Sequence, residues 1–203
     1  MIMSGVKLSK LLEQESIEPE RIIDDIAIYL DQDGSVLTKF SPQDWAEYIN
    51  EFVDEQAYIT VQKRVDSKDE LEWMYSKLQR LKEGRAFILI AIDMRRDRIA
   101  GVLELIPDHF PFQHRCEFSV SVRPEYRGKG LAKEMFQIAI KEARKLGYLN
   151  LYLYVSAENR DAIKLYRRLG FKKLIELKKE RFHYGKLVNE LIMVYTGAPN
   201  RKI

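Results

Sequence analysis

Cysteine occurs once, at Cys116, in a chain of 203 residues. A single thiol excludes an internal disulfide framework and any cysteine-rich zinc site, and its plain reading is a buried spectator. Long hydrophobic runs are missing too: no stretch approaches the ~20 apolar residues that span a bilayer. The opening residues, MIMSGVKLSKLLEQES, have neither the apolar core nor the small-residue cleavage site of a signal peptide. Charge of one sign is not in excess. The net charge is +3, with both signs mixed along the chain, so neither nucleic acid nor membrane binding has a footing in composition alone. There is no repeat, no low-complexity tract and no Gly/Pro/Ser linker. With 46% hydrophobic residues, the expectation is a soluble, intracellular, cytoplasmic protein with one folded domain and an extension.

The pattern along the chain is mixed. Residues 1–25 are polar, with a helical stretch expected around Pro19 to Asp25. Ile26–Leu30 and Val36–Phe40 flank Asp31-Gln32-Asp33-Gly34-Ser35, a hairpin signal. Ser41-Pro42 reads as N-cap and first residue of a helix carrying Trp45, Ile49, Phe52 and Val53. Ser67 to Glu70 reads as a capping box for a second helix with Leu71, Met74, Tyr75, Leu78 and Leu81 inward, stopped by Gly84. The period then changes to that of strands at Ala86–Asp93, Ile99–Ile106 and Cys116–Val122. A helix from Gly130 to Leu146, a strand at Leu149–Ser156, a helix from Asn159 to Leu169 and strands at Lys172–Arg181 and Leu187–Tyr195 complete the order. Such an order suits one sheet covered by helices on both sides.

One stretch carries chemistry. Arg127-Gly128-Lys129-Gly130 follows a strand and opens a long amphipathic helix. A helix start leaves four N–H groups unpaired and carries about half a positive charge. Two glycines let the backbone turn tightly and approach a ligand. Arg127, Lys129 and Lys133 are expected to add mobile positive charge around what reads as a cradle for a di- or polyphosphate. It is neither a nucleotide P-loop nor a GxGxxG dinucleotide fingerprint.

Arg127-Gly128-Lys129-Gly130-Leu131-Ala132 resembles the Arg/Gln-x-x-Gly-x-Gly/Ala element of the GNAT superfamily of acyl-coenzyme A-dependent N-acyltransferases. Val155 to Phe171 resembles that family's second signature, through Asn159, Ala162, Leu165-Tyr166 and Gly170-Phe171. The resemblance covers roughly Ala86 to Tyr195. It implies an α/β (α+β) GNAT fold: a central mixed, mostly antiparallel twisted sheet of about seven strands flanked by about four helices. The implied layout is an extension at 1–25, a single N-acetyltransferase domain at 26–196 and a frayed tail at 197–203. It implies acetyl-CoA as cosubstrate and an amine as acceptor, with no metal; a homodimer is left open. By the same resemblance the pyrophosphate sits on Gly128, Lys129, Gly130, Leu131 and Ala132, with Arg127 beside it. The pantetheine arm runs along Val120, Ser121 and Val122.

Acyl transfer to an amine needs a base, donors for the thioester oxygen and an acid for the leaving thiolate. Tyr166 lies seven residues after Asn159, two helical turns on. The family places the matching tyrosine near the coenzyme sulfur, which makes Tyr166 the candidate acid; otherwise it is a core aromatic. Asn159 reads as a coenzyme contact, an N-cap, or both. Glu117, a carboxylate in an otherwise apolar strand, is the candidate base, with a solvent-facing edge residue as the alternative. Glu104 is its lesser rival. His109 and His114 sit in the loop before the same strand, where surface roles are usual, and His183, Tyr184 and Lys186 sit in the last hairpin. Gly185-Lys186 with Glu190 and Met193 is similar to the ending of a branch acting on amino acids and protein N-termini. Small-amine, lysine and N-terminal acceptors stay open, as does a coenzyme-binding domain that regulates or scaffolds without turnover.

Overall fold

The computed structural model describes residues 7–195 and Gly197. Helix α1 (Leu8–Gln14) precedes strands β1 (Arg21–Ile23) and β2 (Ile26–Asp31), then helices α2 (Pro42–Asp54) and α3 (Ser67–Lys82). Strands β3 (Phe87–Asp93), β4 (Arg98–Pro107) and β5 (Arg115–Val122) lead into α4 (Leu131–Lys145). Strand β6 (Asn150–Ser156), helix α5 (Arg160–Arg168) and strands β7 (Phe171–His183) and β8 (Lys186–Tyr195) follow. The strands form one eight-stranded sheet in the order β1-β2-β3-β4-β5-β6-β8-β7. The pairs β1/β2, β2/β3, β6/β8 and β7/β8 are antiparallel, and β5/β6 is parallel.

The contacts divide the chain into two compact units. The first takes the residues up to Glu104 together with Val120–Met135. Its core joins Trp45, Tyr48 and Phe52 of α2 to Met74 and Leu81 of α3 and to the apolar face of β3. Ser41 caps α2 in a reciprocal box with Asp44, as its Ser-Pro start suggests. The second unit takes Leu105–Ser119 and the residues from Phe136 on. Here Phe136 meets Phe118, Tyr166 and Phe171 edge to face, with ring centroids 5.4 to 5.8 Å apart.

The structure corrects the expectations for three segments. Pro19 to Asp25 is not helical: it holds β1, the eighth strand, while the fifth helix lies earlier, at Leu8–Gln14. Val36–Phe40 is not a strand. The fully buried Asp31 accepts from the backbone N–H of Gly34 at 2.7 Å and of Leu37 at 2.6 Å, winding the segment into a turn and a short 3-10 helix. Helix α3 is capped one residue early, by Asp66 with Asp69. Met74 and Leu81 face inward as expected, but Leu71 and Tyr75 are exposed while Glu70 is buried. The expected frayed tail lies outside the described residues apart from Gly197.

Burying Glu70 has a pH consequence. Burial, then the charges of Asp69 and Glu104, pushes its carboxyl up to about 7 from the ordinary 4.5. Between those values the folded chain holds a proton that the unfolded chain has released, so this site's contribution to stability falls as pH rises through the window. Glu70→Gln is therefore expected to raise the melting temperature by several degrees above pH 7, an advantage that shrinks toward pH 4. A shift that is the same at both ends of a pH series of thermal melts would exclude this titration.

Candidate functional site

In the first unit, the end of β5 passes through a turn at Pro124–Tyr126 into the start of α4. Tyr126 anchors the turn: its hydroxyl donates to Asp93 at 2.7 Å in a buried contact. Gly128 and Gly130 have φ of 74° and 84°, the left-handed region that favours glycine, and a Cβ added to either would meet nothing within 4 Å. The backbone here is therefore open to an approaching group. The first α4 hydrogen bond runs from the Glu134 N–H to the Gly130 carbonyl at 3.1 Å. The amides just before Glu134 are thus left to the helix end, where an anion is favoured. Leu131 is buried and pins this end to the core.

Of the cations expected to be mobile, Lys129 lies over the Tyr126 ring, 5.8 Å from its centroid, and Lys133 is 3.8 Å from Glu134. Arg127 corrects that expectation. Its Nε donates to the Val122 carbonyl at 2.8 Å, Nη1 donates to Glu55 at 3.0 Å and Nη2 also pairs with Glu55. Ser121 is held as well: the Tyr48 hydroxyl lies 2.7 Å from its Oγ and 3.0 Å from its carbonyl oxygen. Val120, Ser121, Val122 and Arg127 to Ala132 thus belong to one unit, and Tyr48 and Glu55 of α2 are contacts of that set which sequence reading missed. Glu104, the rival base, is in the same unit and is engaged by Lys77, whose ammonium also lies 5.4 Å from the Trp73 ring centroid.

Glu117, Asn159 and Tyr166 fall in the second unit. Parallel pairing sets Glu117 opposite Tyr152, on the face away from buried Cys116 and Phe118. Its charge helps to raise the Tyr152 and Tyr154 hydroxyls above their ordinary range, after burial. Asn159 caps α5, its Oδ1 accepting from the Ala162 N–H at 3.2 Å. Tyr166 is buried on the inner side of α5 against Phe136 and Phe171. No hydrogen bond to its hydroxyl occurs among the described residues, and burial raises its pKa, so it keeps its proton at neutral pH. His109 and His114 are exposed, whereas His183 is buried beside Tyr184 and its pKa is lowered, first by burial. Among the described residues no group of three or more His, Cys, Asp or Glu could hold a metal ion, and no helix is long and apolar enough to cross a membrane.

An open helix start behind left-handed glycines, carried on a mixed sheet, is an arrangement in which the backbone favours an anion at a strand-to-helix turn. The chain belongs to the acetyltransferase (GNAT) family, which matches residues 45–171. It is 39% identical over 95 residues to spermidine N(1)-acetyltransferase of Escherichia coli K12, covering 46% of this chain and 50% of that protein. The Vibrio cholerae protein of the same name is 30% identical over 122 residues, covering 60% of this chain and 68% of its own length. The match thus spans half the length of the Escherichia coli relative. Among solved structures, yncA of Salmonella typhimurium, described as a putative acetyltransferase with its cofactor acetyl-CoA, superposes with a TM-score of 0.68 at 22% identity. That superposition covers 88% of this chain and all of that one (100%).

Proposed function

We propose that the chain transfers the acetyl group of acetyl-CoA directly to a primary amine, and that the amine is a polyamine. The open cradle at Gly128–Ala132 carries the first part, because its uncrowded, left-handed glycines fit a pyrophosphate on backbone amides. The relatives named for spermidine support the second part. The domain doing this is residues 26–196, with 1–25 as an extension.

Acetyl-CoA brings an activated thioester, and the chain's residues bind, orient and move protons around it. The amides of Gly128 to Ala132 hold the pyrophosphate, and Val120, Ser121 and Val122 align the pantetheine arm along a strand. Glu117, directly or through a water, takes the proton from the acceptor ammonium, leaving a neutral nitrogen to attack the carbonyl carbon. The C–N bond forms as the C–S bond breaks, the departing sulfur receives the Tyr166 proton, and the second proton shed by the new amide nitrogen restores the Tyr166 hydroxyl. Asn159 holds the start of α5 and so the placement of Tyr166. No protein nucleophile is needed, so a direct transfer leaves Cys116 without a role.

Free-thiol release from acetyl-CoA with spermidine, lysine and peptide N-termini tests this reading. Turnover with spermidine is expected to exceed that with the others, and no release with any amine would sink it. Within the same assay, Glu117→Gln keeps the side chain's volume but takes no proton. Its turnover is expected to fall most at low pH, where the amine is protonated, and to recover partly as pH rises. Wild-type turnover across that range would remove Glu117 as the base.

A further inference from the structure

One face of α2 grips the segment that leads into the cradle. Residues four and three apart on a helix share a side, and Tyr48, Glu51, Phe52 and Glu55 do so here. Tyr48 reaches Ser121, Glu51 pairs with the buried Arg123, and Glu55 pairs with Arg127, whose guanidinium lies 5.7 Å from the Phe52 ring centroid. A guanidinium has five N–H donors in a fixed fork. In Arg127 the Nε–H is spent on the Val122 carbonyl, and both terminal nitrogens face the Glu55 carboxylate. To turn its fork to a phosphate, Arg127 would have to release both carboxylate contacts and the Val122 carbonyl, a three-way fixing on two elements.

We propose that Arg127 is a positioning residue that clamps the end of β5 to the end of α2, and that it is not a ligand of the coenzyme's phosphates. The inference rests on the reading that the cradle holds the coenzyme pyrophosphate. The phosphate charge is then met by backbone amides and by Lys129 and Lys133, while Arg127 and Glu55 hold those amides in place. Glu55 becomes a partner in coenzyme binding although it bears the same charge sign as the ligand.

Titration calorimetry with coenzyme A, over a series of KCl concentrations, separates the two roles. Under the clamp, Glu55→Gln and Arg127→Gln each weaken binding by about tenfold. The double variant is no weaker than the worse single one, because both substitutions break one interaction. The dependence of Kd on salt stays that of the wild type, since no contact with the phosphates has been lost. Arg127→Lys also loses affinity, because an ammonium on a flexible stem cannot hold the three-way fork. The proposal is overturned if Glu55→Gln binds as tightly as the wild type or more tightly, or if Arg127→Gln flattens the salt dependence. It is likewise overturned if Arg127→Lys keeps full affinity. Far-UV circular dichroism monitors folding, and should Arg127→Gln fail to fold, Glu55→Gln and Arg127→Lys decide the matter. A wild-type protein that does not bind coenzyme A would instead sink the coenzyme reading itself.

Discussion

Tyr166→Phe is expected to lower turnover by ~10²-fold or more while leaving coenzyme affinity within a few-fold, the usual effect of losing a positioned proton donor. The substitution removes one oxygen and keeps the ring that packs on Phe136 and Phe171. Its stability effect should be small, because the hydroxyl has no hydrogen bond among the described residues whose loss would count against the variant. A buried hydroxyl whose pKa lies above its ordinary value is a reservoir for a proton at neutral pH and not a source of phenolate. The proton is therefore present for a leaving thiolate, although the same burial makes the hydroxyl a weaker acid. Single-turnover measurements, where chemistry limits the rate, are the proper check. Near-normal turnover there would return Tyr166 to the aromatic core.

The second large effect concerns the cradle. Coenzyme A at about a hundred times its Kd should stabilise the folded chain by ~2.7 kcal/mol, which for a domain of this size is a rise in melting temperature of roughly 5–10 °C. Gly130→Val is expected to abolish that rise. Space for a Cβ is not the obstacle, since nothing lies within 4 Å of one. The φ of 84° is the obstacle, because a β-branched residue there is strained and will shift the turn that aims the amides. Gly84→Ala, at the end of α3, also has positive φ and an open surround, so it controls for general loss of stability. A coenzyme-induced rise that survives in Gly130→Val would take the cradle out of the account.

What could be read from the chain beforehand was whatever short-range chemistry decides. The two glycines before α4, the Ser41-Pro42 start of α2, the alternation of β5 and the Asn159 cap all express preferences of a few neighbouring residues. The errors arose where a distant or buried group overrode such preferences. Asp31 turned an apolar run into a 3-10 turn by taking its backbone donors. On α3 the buried stripe runs through Glu70, Met74 and Leu81 and leaves Leu71 and Tyr75 outside, a choice made by what packs on the helix and not by its own spacing. Arg127 was taken as mobile but is paired, because Glu55, its partner, lies 72 residues earlier in the chain. Local pattern locates a turn, but only the fold says which charges there are already spent.

Cys116 has a practical consequence of a different kind. It is 0% exposed on β5, and burial raises its thiol pKa well above the ordinary value. The thiolate is the reactive form toward disulfides and alkylating agents, so the native protein is silent toward such reagents on both counts. A colorimetric count of sulfhydryls, as in the thiol-release test proposed above, therefore takes no blank from the protein's own thiol. The same residue becomes labelled only when its strand opens, which makes the rate of its modification a built-in clock for the breathing of the sheet.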